Sequence, residues 1–269
     1  MKNGVAAAFI GGSTGESHSL NLGERLSLTR RWMEVSRGTP LRVVVHVGGN
    51  CLAEAAELAA QAQALGAAAV SALSPSHFKP RSVGVLVDCC AQIAGAAPET
   101  PFYFYDIPGL TGVSLPMPEF LAEAGSRIPN LSGLKFSNPD LMSYQLCLNA
   151  RDGAWDCPWG IDEALLGALA LGARGAVGST YNFAAPIYHR LMAAFDRADW
   201  ATARREQMRS VQLVRLLSSH GYLGAAKAVM KMLGVEVGPA RLPHATLDPA
   251  QTARLEEELH ALGFFEWLR

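Results

Sequence analysis

Residues 41–74 read LRVVVHVGGNCLAEAAELAAQAQALGAAAVSALS. An apolar run, Leu41–Val47, stops at two glycines, an alanine- and glutamate-rich helical stretch follows, and Ala69–Leu73 opens a second apolar run. The segment therefore reads strand, helix, strand. Strands written as continuous apolar runs are covered on both faces, which is the habit of a parallel sheet with helical crossovers. FYFY, at Phe102–Tyr105, is a second such run.

Outward from this unit the pattern repeats. β-type runs stand at Val5–Ile10, Leu41–Val47, Ala69–Leu73, Phe102–Tyr105, Leu131–Phe136, Cys157–Ile161 and Gly175–Ser179, with helical patterns between them. One βα unit repeated without a topological switch predicts a TIM barrel rather than a doubly wound sheet. Seven strands are read, whereas closure takes about eight. Neither GxGxxG nor GxxxxGK[ST] follows a strand, which lowers nucleotide-binding readings. Helix starts are marked by Asn21 with Glu24, a capping box ahead of Leu26, Trp32, Met33 and Val35 on one face, by Pro139-Asp140, and by Asp162. From Pro186 the chain reads as helices at 186–196, 199–218, 222–233 and 249–261.

Composition narrows the partners. The chain has 269 residues, 49% of them hydrophobic, and its 23 Lys and Arg nearly cancel its 24 Asp and Glu. That is ample for a buried core and leaves no net field to attract nucleic acid or an anionic membrane, so a small molecule is the expected partner. The cysteines (51, 89, 90, 147 and 157) are odd in number and form no CxxC pair. A reducing cytosol suits them better than a zinc site or a secreted disulfide framework. The opening MKNGVAAAFIGG lacks a cleavage pattern and is not read as a signal peptide. No stretch approaches the ~18 apolar residues of a spanning helix.

The chemistry gathers at strand ends. Of five lysines against eighteen arginines, Lys135 alone stands near the C-terminal end of a strand, in LSGLKFS, where barrel active sites are built. Burial there penalises the ammonium form, and a free amine is a nucleophile toward ketones. From spacing alone, a solvated or ion-paired lysine fits equally well. Tyr105 ends the preceding strand and should share that mouth, where its hydroxyl could shuttle protons; a core tyrosine is the plainer alternative. Gly11-Gly-Ser-Thr-Gly-Glu16 offers backbone N–H groups with the Ser13 and Thr14 hydroxyls, a concavity suited to a carboxylate or simply a loop. Gly160, Asp162 and Glu163 offer polyol contacts, although the two acids equally suit a helix N-terminus. Gly178-Ser-Thr-Tyr-Asn182 offers hydroxyl donors at Ser179 and its neighbours.

GGSTGE, YDIPGLTGV, GLKFS, GIDE, GSTYN and GPARLP, in this order along nearly the whole chain, resemble the N-acetylneuraminate lyase and dihydrodipicolinate synthase superfamily of class I aldolases. The similarity is greatest to the lyase branch, because synthases typically carry arginine in the turn where Leu110 stands here. The resemblance implies an α/β fold, a TIM (β/α)8-type barrel lacking its first βα unit, with a barrel at 1–198 and a C-terminal helical extension at 199–269. It implies a carbon–carbon lyase that cleaves N-acetylneuraminate (sialic acid) reversibly to N-acetylmannosamine and pyruvate without metal or cofactor. Lys135 would form the imine, Tyr105 would move the proton, and Ser13 and Thr14 would hold the carboxylate. Ser137, Gly160, Asp162, Glu163 and Ser179 would contact the polyol. It also implies a cytoplasmic homotetramer with no nucleic-acid or membrane partner. By the same resemblance, His77 or Phe78 in the segment SPSHFKP would stand where relatives often project aromatic residues toward a neighbouring subunit. A pyruvate-dependent aldolase on another 2-keto-3-deoxy sugar acid, or an inactive ligand-binding barrel, are the alternatives.

Overall fold

The computed structural model describes residues 3–269. They form two compact units, one of Val5–Ile161 with Leu171–Val177, the other of Asp162–Ala170 with Gly178–Arg269.

The first unit is built of βα repeats: β1 Ala7–Ile10, α1 Leu22–Ser36, β2 Arg42–His46, α2 Leu52–Ala64, β3 Ala69–Leu73, α3 Val83–Gly95 and β4 Phe102–Asp106. A short turn of helix, α4 Pro108–Thr111, precedes α5 Met117–Arg127, β5 Leu131–Phe136 and α6 Leu141–Asn149. All ladders are parallel and the strand order is β1-β2-β3-β4-β5, each strand beside its neighbour in sequence. No reversal of order occurs, which is the winding of a barrel rather than of a doubly wound sheet.

Two of the seven expected strands are reduced to isolated bridges, Phe136↔Trp159 and Trp159↔Ala176. Hydrogen bonding nevertheless continues: Phe136 N–H donates to Pro158 O at 2.9 Å, Gly160 N–H to Phe136 O at 2.8 Å, and Val177 N–H to Trp159 O at 2.8 Å. Pro158 has no N–H to give, so the ladder breaks where a regular strand would continue.

The apolar strand pattern is explained by cover on the outer face. Phe102 and Phe104 of β4 are buried, and the Phe104 ring lies 4.7 Å from Phe120 of α5. Each such side chain contributes about 1.5–3 kcal/mol on burial. The Asn21–Glu24 capping box is present with both bonds at 2.9 Å. Of the expected apolar face of α1, Leu26, Trp32 and Met33 are half-buried and Val35 is exposed, while Thr29 and Ser36 are the buried positions.

A fold-deciding detail sits in β5. Phe102 pairs with Leu131, but Tyr103 pairs with Gly133, so Ser132 is an extra residue opposite β4. Without this bulge Tyr105 would face Leu134; with it, Tyr105 pairs with Lys135. A one-residue slip exchanges the two faces of a strand, so the bulge decides which way the lysine points. Gly133 has φ +153, and a Cβ there would lie 1.8 Å from Asp156 O. No other residue fits.

The second unit is helical: α7 Leu165–Ala170, α8 Tyr181–Asp196, α9 Trp200–Ser219, α10 Tyr222–Met232, α11 Pro249–Leu262 and α12 Phe264–Trp267. Helix α8 starts five residues ahead of the proline where the sequence pattern places it, because the backbone kinks at Ala184 (φ −129) and so accommodates Pro186. Glu206 of α9, only 1% exposed, receives Arg190 at 3.0 Å and Arg209 at 2.7 Å. A buried carboxylate without such partners would be strongly destabilising. No helix among the described residues is long and apolar enough to cross a membrane.

Candidate active site

In the first unit the bulge delivers Lys135 and Tyr105 to one face of adjacent strands. Lys135 is 8% exposed, with its Nζ 3.8 Å from the Tyr105 ring centroid and 4.3 Å from that of Phe9. An amine here is largely removed from water, and two aromatic faces stand close enough to act on an ammonium through their quadrupoles. Phe9 and Tyr105 meet edge to face at 5.6 Å. Their rings fix the position of the lysine tip.

His46 ends β2 beside this group, its ring 5.8 Å from Tyr105 and 6.0 Å from Phe9. Its Nδ1 lies 2.8 Å from Gly11 O, and Leu73 N–H donates to its Nε2 at 3.3 Å. An amide N–H can only donate, so Nε2 accepts and Nδ1 carries the proton. Burial first, then the charge of Arg25, with smaller contributions from Lys135 and His18, hold His46 well below the usual histidine value. It is neutral. Arg25 reaches from α1 to the carbonyls of His46 (3.1 Å) and Gly48 (3.0 Å).

The Gly11–Glu16 loop turns back on itself, with Glu16 N–H donating to Ser13 O at 3.0 Å and Ser17 N–H to Gly12 O at 3.4 Å. Gly11 takes φ +64, and a Cβ on Gly12 would lie 2.8 Å from the Phe9 ring. Ser13 is half-buried and Thr14 exposed. Ser137, two residues beyond Lys135, donates through Oγ to Gly160 O at 3.2 Å. A Cβ on Gly160 would fall 1.9 Å from that Oγ, so the pair is brought together by the missing side chain.

Behind the tyrosine, Asp106 is buried and its Oδ2 accepts from Asn138 Nδ2 at 3.0 Å. Burial pushes its carboxyl up to about 6, against a smaller downward pull from Asn138.

In the second unit Asp162 is buried and its Oδ2 accepts from Thr180 N–H at 2.8 Å and Thr180 Oγ1 at 2.6 Å. Thr180 is also hydrogen-bonded to the Tyr188 hydroxyl, which meets Ser210 Oγ at 2.8 Å. At least part of the Asp162 carboxylate thus organises the GSTYN segment. Glu163 is exposed, and Ser179 Oγ lies 2.5 Å from the Tyr222 hydroxyl. The Tyr181 hydroxyl is buried with no hydrogen-bond partner among the described residues.

Sequence reading passed over Phe9 and His46 in the first unit and Tyr222 in the second, whereas Tyr181 stood within the GSTYN segment. Of the three passed over, only His46 carried a signal, as the one polar letter inside VVVHV. Among the described residues, no group of three or more His, Cys, Asp or Glu is placed to hold a metal ion.

The dihydrodipicolinate synthetase family model matches residues 1–262. The chain belongs to that family. Among its relatives, N-acetylneuraminate lyase A of Xenopus laevis is 41% identical over 245 residues, spanning 90% of this chain and 80% of the relative. The solved N-acetylneuraminate lyase of Proteus mirabilis superposes with a TM-score of 0.94 at 37% identity, covering 98% of this chain and 88% of that one. A Ruminococcus gnavus sialic acid aldolase, solved as a catalytic lysine mutant, superposes with a TM-score of 0.91 at 28% identity, covering 97% of this chain and 86% of that one. The family's structures thus share the α/β barrel fold and C-terminal helices seen here.

Proposed function

We propose that the protein is a Schiff-base aldolase that cleaves N-acetylneuraminate reversibly to N-acetylmannosamine and pyruvate. The observation that carries this is the Lys135 amine held 3.8 Å from the Tyr105 ring on the paired face of the next strand. The resemblance to lyases of sialic acid, one of them solved as a catalytic lysine mutant, supports the same residue type in the same role.

In the proposed reaction the neutral Lys135 amine adds to the C2 ketone of the open-chain sugar acid and expels water, the proton this requires coming from the Tyr105 hydroxyl, which leaves an iminium and a tyrosine oxygen able to accept. Tyr105 takes the proton of the C4 hydroxyl as the C3–C4 bond breaks. The bond's electrons move into the iminium and form an enamine, while the C4 hydroxyl becomes the aldehyde of N-acetylmannosamine. Protonation of the enamine at C3 and return of one water release pyruvate and restore the amine. Ser13 and Thr14 are proposed to hold the carboxylate, and Ser137, Gly160, Asp162, Glu163 and Ser179 the polyol. We further propose a barrel at 1–198 with a helical extension at 199–269, a homotetramer and a cytoplasmic location; sedimentation showing a stable monomer would refute the tetramer.

Incubation with pyruvate and borohydride, followed by peptide mass mapping, should place the adduct on Lys135. Adding N-acetylneuraminate should release pyruvate. An adduct without such release would move the substrate to another 2-keto-3-deoxy acid, and no adduct at Lys135 would leave the barrel without this chemistry.

A further inference from the structure

We infer that His46 is a positioning residue for the proposed reaction: it holds the Gly11–Glu16 loop, the proposed carboxylate cradle, in register with the strand ends that carry Tyr105 and Lys135. The inference rests on the Schiff-base reading of Lys135. An imidazole buried in a strand must satisfy both nitrogens or destabilise the fold. His46 does so across two different neighbours, donating to Gly11 O after β1 and accepting from Leu73 N–H at the end of β3. Leu73 is also the residue paired with Tyr105, which is paired with Lys135. One side chain therefore connects the start of the loop to the level of the amine.

The site leaves the ring little freedom. Arg25 fixes the backbone carbonyl of His46, and a Cβ on Gly48 would lie 2.6 Å from Leu73 N and 3.1 Å from Nε2. The His46, Phe9 and Tyr105 rings are mutual neighbours at 5.6–6.0 Å, and the lysine tip rests over two of them. Releasing Gly11 would let the loop move relative to that cluster, while the bonds that place Lys135 itself would persist.

The two nitrogens can be separated. In H46N the amide nitrogen reproduces the Nδ1 donor toward Gly11, and the acceptor for Leu73 is lost. In H46Q the longer amide reaches the Nε2 position, and the donor toward Gly11 is lost. The readouts are the pyruvate concentration for half-maximal borohydride trapping at Lys135, the maximal trapping rate, and the thermal midpoint. H46Q should raise the half-saturating concentration about tenfold, the upper end for one hydrogen bond, with the maximal rate kept within about twofold. H46N should stay near the wild type in both, although each variant loses one bond and a similar amount of stability. Equal shifts in the two variants, or shifts that follow the thermal midpoint, would mark His46 as merely structural and overturn the inference. In the folded wild type, imidazole nitrogen resonances should report the Nδ1–H tautomer and move on addition of pyruvate; an Nε2–H tautomer, or no response, overturns it as well. If the wild type traps no pyruvate, the Schiff-base reading itself falls. If it traps pyruvate and the variants do not separate, only the role of His46 falls.

Discussion

Lys135 and Tyr105 divide the proposed reaction between them, and the division can be measured. K135A should form no borohydride adduct with pyruvate and release none from N-acetylneuraminate. Y105F should still trap pyruvate, because the nucleophile of imine formation is the lysine, but cleavage should slow by about a hundredfold or more, the usual contribution of a positioned proton-transfer group. Mass analysis and a coupled pyruvate assay separate the two outcomes. Asp106 allows a prediction of opposite character. Its carboxyl is raised from 3.8 to about 6 by burial, so the native state keeps a proton that the unfolded chain loses between those values. Its contribution to stability is present below about pH 4 and is lost as pH rises through 6, a swing on the order of 3 kcal/mol. D106N, which still accepts from Asn138, should therefore gain on the wild type between pH 4 and pH 7 in urea unfolding; a gap that stays constant with pH would contradict it. That Lys135 and Tyr105 lie side by side on adjacent strands was legible because position at a strand end is a property of spacing. His46 was not, because one polar letter among valines looks the same whether it holds a loop or fills a core.

At the scale of elements, the segment LSGLKFS shows what letters conceal. The apolar run marks a strand, yet nothing in it announces that Ser132 is skipped in the register with β4 and that Gly133 must accept φ +153 against Asp156 O. G133A should cost about 3 kcal/mol or more, since backbone strain and a backbone clash act together, and the folded fraction should trap pyruvate poorly. Urea unfolding with adduct mass measures both; a variant as stable and as reactive as the wild type would remove the bulge from the explanation. The last two expected strands teach a related lesson. Residues 157–161 and 175–179 had the right spacing, and Trp159 and Ala176 continue the parallel bridging beyond β5, but Pro158 and the surrounding glycines leave only bridges. The pattern found their place and overstated their regularity. Helix α1 was read in part: its capping box and its half-buried Leu26, Trp32 and Met33 were readable, whereas its buried positions are Thr29 and Ser36, residues that a search for apolar periodicity passes over.

Across the molecule, the parallel order of the strands sets a gradient of protection. β3 is buried at every position and flanked on both sides, whereas β1 lies at one end of the described sheet order and is largely half-buried. Amides of β3 should exchange with deuterium only on global unfolding and those of β1 through smaller openings, at least about tenfold sooner; equal rates would mean that β1 is covered in solution. The barrel winding itself was legible from the recurrence of one unit, while the helical second unit declared only its lengths. One consequence of the bulge reaches beyond any single side chain. Because Ser132 turns the lysine by its presence in the count and hardly by its side chain, position 132 should tolerate most exchanges of letter, unlike Gly133, yet removing that one residue would turn the nucleophile outward toward the helices. A substitution survey would then score the position as unimportant, and only a deletion would reveal that the reactive centre depends on counting.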